Sequence, residues 1–336
     1  MNAKKVAAVL PAYNCAATLG GVLDMLLSEN QDGLELTVVD DASTDNTREI
    51  CETRAVAVYT QPRNCGPAVC RNLAIRMTEA PVLLFLDSDI DWDAGLLAAM
   101  LRCLEENPHL AGVATLTSPV PLNPSFASRY FALQEYLRYS ELIDSGMTDW
   151  SFITTRFGLL RREVFEETGG FNESFSMASY EDLEFSSRMD NRHRIALNKS
   201  FVVSHHWPDS VWKILKRLHI NARGVMQFPA SMRKKAGEPF ARDRNARLYL
   251  GLFGILFLGG LIHPVLWIGA VVAHLAALWQ AKWLIAGCIK HEGVLFTLKA
   301  WAVYNLTLLP FATGVAAGLF SMLSQKISGF LYHGRH

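Results

Sequence analysis

The chain has 336 residues, 32 Lys plus Arg against 32 Asp plus Glu, which is enough for one large domain or two smaller ones with a conventional core. A formal net charge of zero excludes a global field that would favour nucleic acid or an acidic partner. The charge is unevenly placed, however: acids concentrate in the N-terminal part, and the mostly basic stretch Arg233 to Arg247 is followed by a long apolar tract, a step that marks a domain boundary.

Lys5 to Leu10 (KVAAVL) reads as a first strand that ends at Pro11-Ala12-Tyr13-Asn14, because proline halts the sheet ladder and exposes the backbone beyond it. Leu19, Leu23, Leu26 and Leu27 recur at helical spacing within Ala16 to Asn30. Leu34 to Val39 is a second strand and runs into Asp40-Asp41 and the polar turn ASTDNT, from which a helix opens at Thr47. Val56 to Tyr59 is a short third strand. Asn64-Cys65-Gly66-Pro67 turns into a helix from Ala68 to Met77, with Arg71 and Asn72 in its first turns.

Val82 to Leu86 then runs straight into Asp87-Ser88-Asp89, the pattern of a buried strand that releases two carboxylates at its C-terminal end. Ligands bind at that end in open α/β sheets, so paired acids there can hold a divalent cation and, through it, a phosphate. A turn followed by a helix N-cap is the plainer alternative. Strand and helix alternate at short intervals, which predicts a parallel, doubly wound α/β sheet. No GxGxxG follows the first strand, which counts against a dinucleotide-binding domain.

Beyond this half, a helix is expected from Leu96 to about Asn107, a strand at Leu110 to Leu116 and an aromatic amphipathic helix from Phe126 to Leu142. The run RREVFEETGGF from Arg161 to Phe171 predicts a helix with a Gly-Gly stop. After it come the acids of Glu181-Asp182-Leu183-Glu184-Phe185, a strand-like Ala196 to Val203 leading to His205-His206, and helical periodicity from Val211 to Phe228. The cysteines at 15, 51, 65, 70, 103 and 288 show neither CxxC nor zinc-like spacing, and Val6 to Leu10 is too short for a secretory segment. Free thiols and a reduced, cytoplasmic N-terminal domain are expected.

In chain order, VLPAYN (9 to 14), VVDDASTDNT (38 to 47), GPAVCRNLAI (66 to 75), DSD (87 to 89), GGF (169 to 171), EDLEF (181 to 185) and a histidine after a late strand resemble the family 2 glycosyltransferases, enzymes of GT-A fold. The resemblance covers roughly residues 5 to 225. It implies inverting transfer of a sugar from a nucleotide-diphosphate donor, a reaction that needs one base for the attacking hydroxyl and positive charge on the leaving diphosphate. It further implies Asp89 as a direct ligand of Mg²⁺ or Mn²⁺, with Asp87 nearer the ribose or completing the shell, Ser88 beside them at the nucleotide sugar, and Asp182 as the general base. Asp41 would read the nucleotide base, with Pro11, Ala12 and Tyr13 around that base. Gly66 and Arg71 would face the base or diphosphate, a surface ion pair being the alternative for Arg71. His205 would add a metal or diphosphate contact, with His206 as its competitor. Turn and cap chemistry is the alternative for Asp40, Asp41 and Asp45, and a solvated helix face for Asp182.

Leu248 to Trp279 and Ala300 to Leu323 are each long enough to span a bilayer core of about 30 Å. The first is interrupted at Gly259-Gly260 and His263-Pro264, so it forms either one tilted helix or a tight hairpin. Basic residues from Arg233 to Arg247 would keep the N-terminal domain on the cytoplasmic side, and Lys213, Lys216, Arg217 and Arg223 would meet an anionic lipid or diphosphate acceptor or form a solvated face. The expected layout is a GT-A domain over 1–230, a basic linker over 231–247, two or three transmembrane helices over 248–325 and a tail over 326–336. Such tails resemble those of bacterial enzymes that elongate lipid-linked or polyprenyl-linked glycans, and the lack of a QxxRW motif after Trp207 argues against cellulose-like processive synthesis. A sugar-phosphate nucleotidyltransferase would need a Gly-rich basic loop after the first strand, which PAYNC does not offer. A degenerate membrane scaffold is the non-enzyme alternative.

Overall fold

The computed structural model describes residues 5–29, 33–140, 143, 147–150, 152–175, 180–226 and 241–333. Arg233, Lys234 and Lys235 of the expected basic linker lie outside the described residues. In chain order the elements are β1 Val6–Ala12, α1 Leu19–Ser28, β2 Leu34–Asp40, α2 Thr47–Glu52, β3 Val58–Thr60, α3 Pro67–Arg76, β4 Val82–Leu86, β5 Ile90–Trp92, α4 Leu96–Glu106 and β6 Leu110–Thr117. They continue with α5 Phe126–Ser140, β7 Met147–Trp150, β8 Phe157–Arg161, α6 Arg162–Thr168, α7 Glu181–Arg188, β9 Arg194–His205 and α8 Val211–Val225. The last five are α9 Ala241–Gly260, α10 Leu266–Gln280, α11 Lys282–Glu292, α12 Val294–Leu306 and α13 Leu308–His333.

The chain divides into two compact units, one of Met1–Asn123 with Leu142–His206 and one of Pro124–Glu141 with Trp207–His336. The first is built on a sheet of order β3-β2-β1-β4-β8-β6-β9-β5, with β7 also paired to β9. The strands β3, β2, β1 and β4 are parallel, as are β6 and β9. The expected parallel sheet needs correction beyond them: β8 runs antiparallel to both β4 and β6, and β5 and β7 run antiparallel to β9. An apolar run such as that of β8 states burial and not direction, and the three residues of β5 are too few to carry a period.

Four residues of β4 are buried, and β6 is buried along its whole length, because both strands are interior and covered on two faces. At Gly112 a Cβ would lie inside contact distance of the Leu159 carbonyl oxygen, so only glycine lets β6 and β8 pair there. Pro11 does not halt the ladder, contrary to expectation: β1 stays paired to β2 through Pro11 and Ala12. Its pairing with β4 ends at Val9, so the missing N–H of Pro11 interrupts no bond on that side. The Gly-Gly stop is as expected, with Gly169 at φ 85° and Gly170 at φ 74° ending α6 in the left-handed region. All six cysteines are free.

The second unit is helical. Tyr130, Leu133 and Leu137 of α5 share one core with Ile214 of α8, Leu250, Trp283, Leu284, Cys288, Phe296 and Tyr304. The first apolar tract is a hairpin: α9 and α10 run antiparallel, with Phe253 against His274 at 4.9 Å and Leu256 against Gly269. Among the described residues Val294–Ser321 is the one helical stretch long and apolar enough to cross a membrane, and α10 with α11 passes the same test only as a pair bent by 61°.

Candidate active site

Two loops at the C-terminal edge of β1 and β2 are laced together by side-chain caps. Asn14 accepts from the Thr44 N–H at 2.8 Å, the Ser43 hydroxyl oxygen accepts from the Asn14 N–H at 2.9 Å, and Asp45 accepts from the Ala16 N–H at 3.0 Å. Asp40 accepts from the Ser43 N–H at 3.0 Å, so Asp40 and Asp45 do turn and cap chemistry. Asn14 at φ 47° and Ala42 at φ 61° hold left-handed conformations that non-glycine residues adopt only when their surroundings impose them. Tyr13 is left exposed on this rim.

Asp41 is buried, and its two oxygens accept from the N–H groups of Cys65 and Gly66, each at 2.8 Å. The carboxylate thereby holds the turn whose Gly66, at φ 93°, launches α3 with Pro67 in its first turn.

The acids after β4 are placed by long-range pairing. The Asp87 N–H donates to the Arg156 carbonyl at 3.0 Å, extending the β4–β8 ladder, and the His206 N–H donates to the Asp89 carbonyl at 3.0 Å. Immediately beyond, Ile90 of β5 pairs with His205 of β9. That register sets His205 Nε2 at 3.2 Å from Asp89 Oδ1, and one ligand atom each from Asp87, Asp89 and His205 lies within 4.8 Å of the others. His206 lies past the end of β9 and is not part of this group. Burial holds the His205 imidazole below its ordinary pKa, which keeps a nitrogen lone pair available. Two carboxylates and a neutral imidazole at this spacing suit a divalent cation such as Mn²⁺ or Mg²⁺, oxygen ligands being common to both and imidazole favouring the transition metal.

Arg71, buried in α3, donates to Asp87 Oδ1 and to Glu181 Oε1, both at 2.8 Å, and lies over the Phe171 ring at 5.9 Å. The GGF motif explains this seat: Asn72 donates to the Phe171 carbonyl at 2.8 Å and accepts from the Phe171 N–H at 2.9 Å. Phe171 packs against Phe85, Phe165 and Phe185, fixing the ring beneath the guanidinium. Arg71 is therefore not a surface ion pair but a buried cation between two acids.

Asp182 follows Glu181 in the first turn of α7, which starts from Tyr180 at φ 63°. Its Oδ1 accepts from the Leu183 N–H at 2.8 Å. Burial first, and the neighbouring Glu181 charge second, push its carboxyl up to about 7. Arg156 acts electrostatically on both Asp182 and His205 and donates to the Thr117 hydroxyl at 2.6 Å. The structure thus gathers Arg71, Asp87, Asp89, Asp182 and His205, while Pro11 and Ala12 end β1 and Tyr13, Asp41 and Gly66 lie in the loops beyond the strand ends. Arg156 and the pairing role of Glu181 have no local sequence signal, because both depend on contacts between distant strands and helices.

Residues 7–169 match the model of glycosyl transferase family 2. Glycosyltransferase GlyG of Streptococcus pneumoniae is 24% identical over 48% of this chain and 58% of its own length. The E. coli UDP-Glc:alpha-D-GlcNAc-diphosphoundecaprenol beta-1,3-glucosyltransferase WfgD is 31% identical over 30% of this chain and 42% of its own. The chain therefore spans less than two thirds of these curated relatives. In fold it is similar to the mannosyltransferase PcManGT from Pyrobaculum calidifontis, solved with GDP-Man and Mn2+, with a TM-score of 0.58 at 20% identity over 94% of this chain and 88% of that one. Over residues 7–169 the chain carries the match to glycosyl transferase family 2, and its mixed sheet has the GT-A fold.

Proposed function

We propose that the protein transfers a sugar, with inversion, from a nucleotide-diphosphate donor to a lipid-linked or polyprenyl-type acceptor at the cytoplasmic face of a membrane. The observation that carries this reading is the convergence of Asp87, Asp89 and His205 within 4.8 Å at the end of β4. A divalent cation held there would neutralise the charge that develops on the leaving diphosphate.

The chain's own residues supply the remaining requirements. Asp182 is the general base: its Oδ1 is oriented by the Leu183 N–H, and a carboxyl raised to about 7 is basic enough to take a hydroxyl proton near neutral pH. Glu181 is neutralised by Arg71 and is unsuited to that role, so one carboxylate remains for a single displacement, which supports inversion. Arg71 holds Asp87, which would help ligate the cation, and Asp41 fixes the loop that would meet the nucleotide. A relative whose name specifies a diphosphoundecaprenol-linked acceptor and the apolar stretch Val294–Ser321 support a lipid acceptor, and the basic run from Arg233 to Arg247 supports a cytoplasmic catalytic unit.

The full-length chain in proteoliposomes containing polyprenyl-diphosphate sugars should move label from a nucleotide sugar into the organic-extractable fraction when Mn²⁺ or Mg²⁺ is present. Label appearing only as free sugar, or transfer unaffected by chelation, would overturn the acceptor class or the metal dependence respectively.

A further inference from the structure

The hairpin of α9 and α10 has apolar side chains turned to solvent over most of its surface. Leu252, Ile255, Phe257, Leu258, Ile268 and Val272 are all exposed, a contiguous patch far beyond what a soluble surface carries. No Asp, Glu, Lys or Arg lies between Arg247 and Lys282. Yet the apolar helical stretches are short. Of the 20 residues of α9 the apolar part is Asn245–Gly260, which at about 1.5 Å per residue reaches roughly 24 Å, and the 15 residues of α10 reach roughly 22 Å, both below the bilayer core of about 30 Å.

The polarity of the hairpin runs along its length. Its tip, residues 261–265, is wholly exposed and apolar except for His263, with Ile262 90% accessible. Trp267, near this tip, donates its indole N–H to the Phe257 carbonyl at 3.2 Å, so that polar atom needs no water. The opposite end is aromatic and cationic: Tyr249 on α9, Trp279 on α10 and Lys282 at its exit are exposed, with the Lys282 ammonium 4.4 Å from the centre of the Trp279 ring, while Arg247 is turned inward to the Thr307 hydroxyl and the Tyr304 and Phe311 rings. Paired Trp or Tyr with Lys is the composition of a headgroup layer, and Lys282 complements anionic lipid. Past Lys282 the path cannot continue across a bilayer, because α11 turns by 61° and packs on α5, with Gly287 against Leu137 and Glu292 bonded to Arg129.

We infer that the α9–α10 hairpin enters one leaflet of an anionic bilayer by its 261–265 tip and returns to the face it came from, a monotopic anchor rather than two spans. This rests on the membrane association proposed above and adds its geometry. It places both ends of the hairpin on one side.

The test reconstitutes the full-length chain into phosphatidylethanolamine–phosphatidylglycerol vesicles and labels Ile262→Cys with a membrane-impermeant maleimide added outside or trapped inside. Labelling is read on the tip peptide by mass spectrometry, with Lys290→Cys as the exposed reference. The expected result is that Ile262→Cys resists reagent on both faces and reacts once detergent is added, while Lys290→Cys reacts from one face. Reaction of Ile262→Cys from the face opposite Lys290→Cys would mean a full crossing. Reaction from the same face would mean that the tip never enters lipid. Either result overturns the inference while leaving membrane association intact, whereas failure of the parent chain to float with vesicles would overturn that association and the inference with it. Val265→Cys provides a second tip position should Ile262→Cys not fold.

Discussion

Replacing Asp182 by Asn should raise stability and abolish turnover together, a pairing that a merely structural acid would not produce. The folded-state pKa of Asp182 lies above its unfolded value, about 7 against 3.8. The protonated carboxyl therefore favours the fold below pH 4, and that contribution is lost as pH rises through about 7. At 1.36 kcal/mol per unit, the ionised carboxylate costs the native state at most about 4 kcal/mol above pH 8. Asn is neutral at every pH, and its Oδ1 can still accept from the Leu183 N–H, so the variant escapes that cost. Thermal unfolding of both proteins in detergent between pH 4 and pH 9 should show equal stability at the acid end and a variant advantage that grows through neutrality, at about 2–4 °C per kcal/mol. Transfer should fall by about 10²–10⁴-fold, and wild-type kcat/KM should lose activity below about pH 7 as the base is protonated. A stability difference that does not change with pH, or substantial transfer by Asp182→Asn, would refute the reasoning.

Asp89→Ala and His205→Ala should each weaken Mn²⁺ binding measured by electron paramagnetic resonance titration, and a wild-type isotherm in both would remove the assigned centre. Arg71→Met leaves Asp87 and Glu181 without their shared cation and should cost about 3–5 kcal/mol by denaturant unfolding, with part recovered in Arg71→Met/Glu181→Gln. Asp41→Asn sets an amide N–H against one of two backbone donors, so it should lower stability by about 1.5–3 kcal/mol and raise the nucleotide-sugar KM.

Much of the first unit was legible because its signals are local. The apolar run of β4, the Gly-Pro entry to α3 and the Gly-Gly exit from α6 each follow from residues within a few positions of one another. The place of the break is local too, at Gly259-Gly260 and His263-Pro264, whereas the choice of a hairpin over one tilted helix came from the packing of α9 on α10. Directions of strands were not legible: β8 lies between β4 and β6 through contacts that its own five residues do not encode. Pro11 misled for a related reason, since whether a missing N–H matters depends on which neighbour flanks the strand at that level.

In the site, sequence alone determined the chemical types and their order: acids after β2 and β4, an acidic turn opening α7, a histidine ending β9. Those choices are governed by what each strand end or helix start can expose. Tertiary structure decided which of them meet. Three residues of β5 pair with the end of β9, and that register, not the spacing of 116 positions implied by their numbers, brings His205 to Asp89 and leaves His206 aside. Likewise Arg71 finds Asp87 and Glu181 only because Phe171 is tied to α3 by Asn72, so its charge is used within the protein. Local composition sets what a side chain can do, and long-range pairing, with the burial it imposes, sets what it faces and how strongly it acts.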